Sequence, residues 1–406
     1  MKLATLDSFI VKNPPPGLGG RYFIFVTLTT SCGVTGTGEI YAASFAPEVI
    51  TAMADDIFQR YLEAQSPFQI EKFCRRAHGS GFSHRPDPSL HGVVSGLEMA
   101  CWDIVGKALD RPVYDLLGGQ VQDRLRSYTY IYPAADQDAG QFYNDPLASA
   151  EAAAAYVEQG FTALKFDPAG QYTVFDGRMP DLLALDRSAA FCAAIRDAVG
   201  TKADLLFGTH GQFTTAGAIR MAERLAPYDP LWFEEPTPPD MPEEMAKVAA
   251  RSSVPIATGE RLCTKYEFAR VLRCGAAAIL QPNLGRAGGI LEGRKIAAIA
   301  ETYYAQIAPH LYCGPVVAAA NIQLATAIPN FLILESIQKM DGFHAQLLET
   351  PLCWEDGCII PPTSPGLGVA LNMEVVAAHP WDGDTLHLQM GQNPYDPARD
   401  GDFAGG

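Results

Sequence analysis

Apolar and polar positions alternate along three runs near the start of the chain: Leu3 to Val11, Tyr22 to Thr30 and Thr35 to Tyr41. The runs are broken by PPPGLGG and SCGVTG, so period two and turn residues together predict an antiparallel meander. The period then lengthens. Pro47 to Leu62 and Leu90 to Leu109 repeat apolar residues at helical spacing, the second stopping before Arg111-Pro112. Strands followed by helices indicate an α+β domain. Two Gly-rich stretches, Pro14 to Gly20 and His78 to Gly92, read as loops.

Near Arg124 the pattern changes to short apolar runs alternating with helices. The runs are Leu125 to Tyr132, Thr162 to Asp167, Ala203 to Gly208, Leu231 to Glu235, Pro255 to Glu260, Ala276 to Asn283, Ala305 to His310 and Phe331 to Ser336. Helical stretches between them include Arg187 to Val199, Thr215 to Leu225, Tyr266 to Cys274 and Gly288 to Tyr303. From the third run on, the ends recur at roughly 25 residues, the length of one β/α unit. Eight units predict a closed (β/α)8 barrel, and the absence of GxGxxG after the first strand disfavours an open dinucleotide-binding sheet. The fold class expected is therefore α/β, a modified TIM barrel with an α+β N-terminal cap. The divisions are 1–123 for the cap, 124–340 for the barrel and 341–406 for a C-terminal segment without helical pattern that packs back on the cap. Its last dozen residues, rich in Asp, Gly and Pro, are expected to be mobile.

Composition narrows the function. The chain has 406 residues, 48% of them hydrophobic and 19% charged, as in a folded globular protein. A formal charge of -16 argues against binding nucleic acid or anionic membrane through a basic surface. No apolar run approaches the roughly 18 residues of a membrane span. The nine cysteines form no CxxC pair and read as reduced thiols, and the N-terminus lacks a signal-peptide core, so a cytoplasmic location is expected.

In a barrel of this kind chemistry sits at the C-terminal ends of the strands. Those ends offer Lys165 and Asp167, Gly208 with His210, Glu234, Glu260, Asn283, His310 and Glu335. Glu234 and Glu260, on successive strands, are hard oxygen donors suited to Mg2+. Glu235 alternates to the other face. His210 and His310 flank that pair as general acid or base, with metal ligation the competing role for either. Lys165 and Asp167 share a face, from which Lys165 can meet a substrate carboxylate and Asp167 the metal, or the two form a buried ion pair. Glu335 is open between substrate contact and a satisfied carboxylate.

ALDRPVYDLLGG, WFEEP, ATGER, ILQPNLGRAGGI, APHLYCGP, LILES and PGLGV stand in this order along nearly the whole chain. They resemble the landmarks of the enolase superfamily, in its mandelate racemase and muconate lactonizing enzyme group, and within it acid-sugar dehydratases of the galactonate dehydratase type. The resemblance implies a cap over a modified barrel, completed by the C-terminal segment. It implies Mg2+ on Glu234 and Glu260, a sugar-acid substrate and a homo-oligomer. It further implies His310 as base, His210 as acid on the leaving β-hydroxyl, and Glu335 at the substrate carboxylate. The loops Pro14 to Gly20 and His78 to Gly92 would close over the polyol.

Two departures stand out. Gly208 occupies the place of the family's first metal-ligating Asp, and Asn283 that of the Asp paired with the catalytic His. Asp167, on the adjoining strand, is the candidate for the missing carboxylate. The expected activity is a Mg2+-dependent dehydration of a sugar acid to a 2-keto-3-deoxy acid. The alternatives are a racemase, epimerase or cycloisomerase of the same superfamily, and a degenerate barrel that binds without catalysis.

Overall fold

The computed structural model describes residues 1–82, 84–134 and 136–396. β1 (Leu3–Lys12), β2 (Tyr22–Thr30) and β3 (Thr35–Ile40) form an antiparallel sheet in that order. Period two sorts the central strand between two cores: Tyr22, Ile24, Val26 and Leu28 face the cap's own core, while Phe23 and Phe25 join the barrel's. Helices Pro47–Tyr61, Ile70–Gly79 and Pro88–Leu109 complete the cap. The last starts where Asp87 accepts from the N–H groups of Ser89 and Leu90, with Pro88 at the first helical position. The stretch 78–92, expected as one loop, is a loop only between these helices. Ile70–Gly79 escaped notice because its apolar stripe is only Ile70, Phe73 and Ala77 in an otherwise charged segment.

The barrel strands are β4 (Leu125–Tyr130), β5 (Ala163–Phe166), β6 (Asp204–Phe207), β7 (Trp232–Glu234), β8 (Ile256–Thr258), β9 (Ile279–Leu280), β10 (Gln306–Ile307) and β11 (Leu334–Glu335). Each pairs in parallel with the next up to β10. β11 pairs in parallel with β4, and Phe331 bridges Ile307, so the ring of eight closes. A floor of side chains fills it: Tyr128, Ala163, Leu206, Trp232, Ala257, Ile279, Ala308 and Ile333, one from each strand or its margin. The helix Pro315–Ala327 gave no periodic signal because all its residues are buried and it has no polar face.

Two buried carboxylates seat the cap on the barrel. Glu39 of β3 accepts from the N–H groups of Gly314, Val316 and Val317, at the start of Pro315–Ala327. Glu98 accepts from Ile290 and Leu291, at the start of Gly289–Glu301, and from the Trp102 indole. These are the orphan N–H groups that every helix start presents. Gly289 is required there, since a Cβ would lie 2.1 Å from Glu98 Oε2.

The C-terminal segment serves both domains rather than the cap alone. β12 (Cys353–Glu355) and β13 (Cys358–Ile360) form a hairpin that pairs antiparallel with the start of β4, at the end of the barrel away from the site. Two short helices, Gly342–Gln346 and Met373–Ala378, appear where no helical pattern was read. Beyond them Pro380 bridges Val11 and the Trp381 N–H donates to Ile10, which carries the chain along the cap sheet. His387 then fills the space beside Gly20, where a Cβ would come within 2.1 Å of its Nε2. The tail expected to be mobile falls almost wholly on residues 397–406, outside the described residues. Among the described residues no helix is long and apolar enough to cross a membrane.

Candidate active site

Alternation along the strands builds the site directly above the floor. Two residues beyond Ala163, Leu206, Trp232, Ile279, Ala308 and Ile333 come Lys165, Gly208, Glu234, Gln281, His310 and Glu335. The lowest polar layer is a closed network. Lys165 Nζ donates to Glu234 Oε1 at 2.6 Å and lies 3.5 Å from Glu335 Oε1, and all three are at least 98% buried. Trp232 Nε1 and Gln281 Nε2 donate to Glu234 Oε2 at 3.1 and 2.7 Å, and the Leu311 N–H donates to Glu335 Oε2. Burial opposes the charge on Lys165, but Glu234 and Glu335 outweigh it and hold the ammonium well above its ordinary value. Burial lifts Glu335 to about 7 against the pull of Lys165. Lys165 takes neither expected role: it does not line the cavity above, and its buried ion pair is with Glu234 and Glu335 rather than with Asp167, which meets His210 instead.

The upper layer holds Asp167, His210, Glu260, Asn283 and His310. The imidazoles stand against the two oxygens of one carboxylate: His210 Nε2 is 3.9 Å from Glu260 Oε1, and His310 Nε2 is 3.4 Å from Glu260 Oε2. His210 Nδ1 donates to Asp167 Oδ2 at 3.1 Å, and the Tyr172 ring lies against the imidazole at 4.4 Å. His310 Nδ1 is 2.9 Å from Asn283 Nδ2. Burial pulls His210 down, yet Glu260 and Asp167 outweigh it and raise it to about 9. Burial lowers His310 to about 3, only partly countered by Glu260. Burial would raise Glu260, but His310, His210 and Lys165 together hold it well below the usual carboxylate range. Glu235 points away as alternation requires, its Oε1 accepting from Arg261 Nε at 2.6 Å.

His210, Glu234 and Glu260 form a candidate cation site, in which Glu234 would have to exchange one of its hydrogen bonds from Lys165, Trp232 or Gln281 for the ion. One ligand atom each from His210, Glu234 and Glu260 lie within 4.8 Å of one another. Glu260 Oε2 and Asp167 Oδ1 are buried without accepting any hydrogen bond. Asp167 itself lies outside the compact group.

Above these residues opens a cavity of about 670 Å³. Tyr41, Tyr130, Tyr132, Tyr143, Tyr172 and Tyr312 line it, and no Lys or Arg is among its described lining residues. Pro16, Gly17 and Leu18 contribute from the cap, so the first Gly-rich loop is where it was expected. The second expected loop, 78–92, supplies no described lining residue. Leu388, Gln389 and Gly391 of the C-terminal segment form part of the wall instead. The tyrosines were missed, although Tyr128, Tyr130 and Tyr132 recur at period two across the end of β4 and mark one inward face.

Residues 18–118 match the family model described as "Mandelate racemase / muconate lactonizing enzyme, N-terminal domain", and residues 148–375 match "Enolase C-terminal domain-like". A D-xylonate dehydratase of Haloferax volcanii is 33% identical over 376 residues, 90% of this chain and 88% of that protein. A D-galactonate dehydratase of Ralstonia pickettii is 35% identical over 385 residues, 93% of this chain and 94% of that protein. The crystal structure of a mandelate racemase/muconate lactonizing enzyme from Sulfitobacter sp. superposes with a TM-score of 0.95 at 55% identity, covering 98% of this chain and 100% of that one. Both domains, the barrel-end carboxylates and the relatives agree: the chain belongs to the mandelate racemase/muconate lactonizing enzyme family of the enolase superfamily.

Proposed function

We propose that the protein is a Mg2+-dependent dehydratase of a sugar acid, removing the proton next to the carboxylate and the hydroxyl one carbon further on. The observation that carries the reading is the pair of imidazoles set against opposite oxygens of Glu260 at the floor of a large tyrosine-lined cavity. Acid–base work on a small substrate needs such groups within reach of one reacting centre. Tyrosine hydroxyls both donate and accept, which suits a polyol, while ring faces suit its C–H edges. The names of the Haloferax and Ralstonia relatives point to the same class.

Glu234, Glu260 and the free Oδ1 of Asp167 would hold Mg2+. A hard cation prefers oxygen donors, so His210 is left for proton transfer although it stands in the compact group. When bound, the ion would neutralise the substrate carboxylate and the charge that grows on it as the C–H bond breaks. With no Lys or Arg among the described lining residues, that cation would supply the counter-charge for the substrate anion. Glu335, 3.9 Å from His310 Nε2, is like Lys165 absent from the described cavity lining, so the substrate contact that the resemblance implies for it would need its side chain to shift toward the cavity.

Incubation with D-galactonate and D-xylonate in Mg2+ should yield a 2-keto acid, and EDTA or Glu260→Gln should abolish the yield. Exchange of the α-proton with solvent without keto product would replace this reading by a racemase or epimerase. Neither Mg2+ binding nor exchange on a broad panel of sugar acids would leave only a binding barrel.

A further inference from the structure

The hydrogen bonds around the two histidines oppose the expected direction of proton flow. Asn283 is fully buried, and the Gly285 N–H donates to its side chain at 2.8 Å. A backbone N–H can only donate, so the atom it meets is the carbonyl Oδ1, and the NH2 end faces His310 Nδ1 at 2.9 Å and Cys313 Sγ at 3.2 Å. The amide therefore donates to His310 Nδ1. An imidazole nitrogen that accepts carries no proton, so in the neutral ring the proton sits on Nε2, the nitrogen turned toward Glu260 and Glu335. An Asp in place of Asn283 would do the reverse. His210 has the opposite arrangement. Asp167 Oδ2 can only accept, so His210 Nδ1 carries a proton in either charge state, and once the ring is neutral it is the lone pair of Nε2 that faces the cavity.

We infer that the two histidines have exchanged roles in this chain: His210, positioned by Asp167, is the proton acceptor, and His310, positioned by Asn283, is a neutral hydrogen-bond donor. This rests on the dehydratase reading for its substrate. The Cα–H bond breaks and its proton forms a bond to His210 Nε2, while the electron pair moves into the carboxylate as an enediolate. Asp167 stabilises the resulting imidazolium. The pair then returns to form the Cα=Cβ bond as the Cβ–O bond breaks. His210 Nε2 gives its proton to the departing hydroxyl, which leaves as water, and the enol takes a solvent proton at Cβ while its O–H proton returns to solvent, giving the 2-keto acid. His310 Nε2–H donates throughout to a substrate oxygen and transfers no proton.

The tautomers can be read without substrate, by long-range 1H–15N correlation on the full chain labelled at histidine nitrogen and loaded with Mg2+. Recorded above pH 9, where His210 is neutral, the expected result is a proton on Nε2 of His310 and on Nδ1 of His210. Asn283→Asp should move the His310 proton to Nδ1, and Asp167→Asn should release the His210 tautomer. A wild-type His310 protonated on Nδ1 overturns the inference.

Exchange of the α-proton of D-galactonate or D-xylonate in D2O is the second readout. His210→Asn should lower it by about 100-fold or more, while His310→Gln, which keeps a donor, should retain measurable exchange. The opposite pattern restores the base to His310. Mg2+ titration by calorimetry gives the third: His210→Asn should bind Mg2+ within a few-fold of wild type, whereas loss equal to that in Glu260→Gln makes His210 a ligand and overturns the inference. If the unaltered protein exchanges neither acid, the reading of these two substrates falls, while the tautomers still decide the histidine roles.

Discussion

Gly208 occupies the inward position that neighbouring strands give to Lys165 and Glu234. A Cβ there would lie 3.2 Å from Lys165 Cε and 3.4 Å from Tyr130 Oη and the Phe166 carbonyl oxygen, so a short side chain enters if the lysine gives way slightly. Gly208→Asp would add a hard oxygen beside Glu234 and Glu260. It should tighten Mg2+ binding about tenfold, or ~1.4 kcal/mol, measured by calorimetry; unchanged affinity would mean the new carboxylate pairs with Lys165 instead. At this scale the identities of Glu234, Glu260, His210 and His310 were legible because they end apolar runs. Their hydrogen-bond directions were not, because the orientation of Asn283 depends on the Gly285 N–H, and every residue has such a group.

At the scale of elements, the joints between domains are carboxylates on helix starts. Glu39→Ala would leave the N–H groups of Gly314, Val316 and Val317 buried without an acceptor. It should cost about 2 kcal/mol or more, seen as a lower midpoint in urea; Glu39→Gln, which keeps one acceptor oxygen, should lose less. Equal stability of the Ala variant would show that water reaches those groups. The eight strands were legible from their spacing, since each strand-plus-helix unit repeats one pattern. Pro315–Ala327 was not, because a helix buried on all sides has lost the periodicity that marks a helix.

Across the whole molecule, acid should act on the buried neutral histidines of both domains. His387 lies against Tyr22 and Tyr41, and burial, reinforced by Arg286 and Arg21, lowers it to about 3. Its folded value is below the ordinary 6.5, so the unfolded chain binds the extra proton. Stability from this residue is therefore full above pH 6.5 and lost as pH falls toward 3. Thermal melts of wild type should fall between pH 6.5 and 4 more steeply than those of His387→Gln. The variant keeps part of the slope because His91 and His344, each lowered to about 4, remain. Identical slopes would mean the His387 imidazole is already charged in the folded protein. The tie between this segment and the cap could not be read from sequence, because Gly20 and His387 stand far apart in the chain and meet only by shape.

Leu388, Gln389 and Gly391 complete a wall of the cavity, yet they follow every barrel strand in the order of synthesis. A growing chain whose barrel has already emerged from the ribosome still has an open side to its reaction chamber. If the barrel folds as it emerges, the reactive carboxylates and imidazoles are in place before the compartment that confines them, and competence for turnover arrives late in the protein's birth.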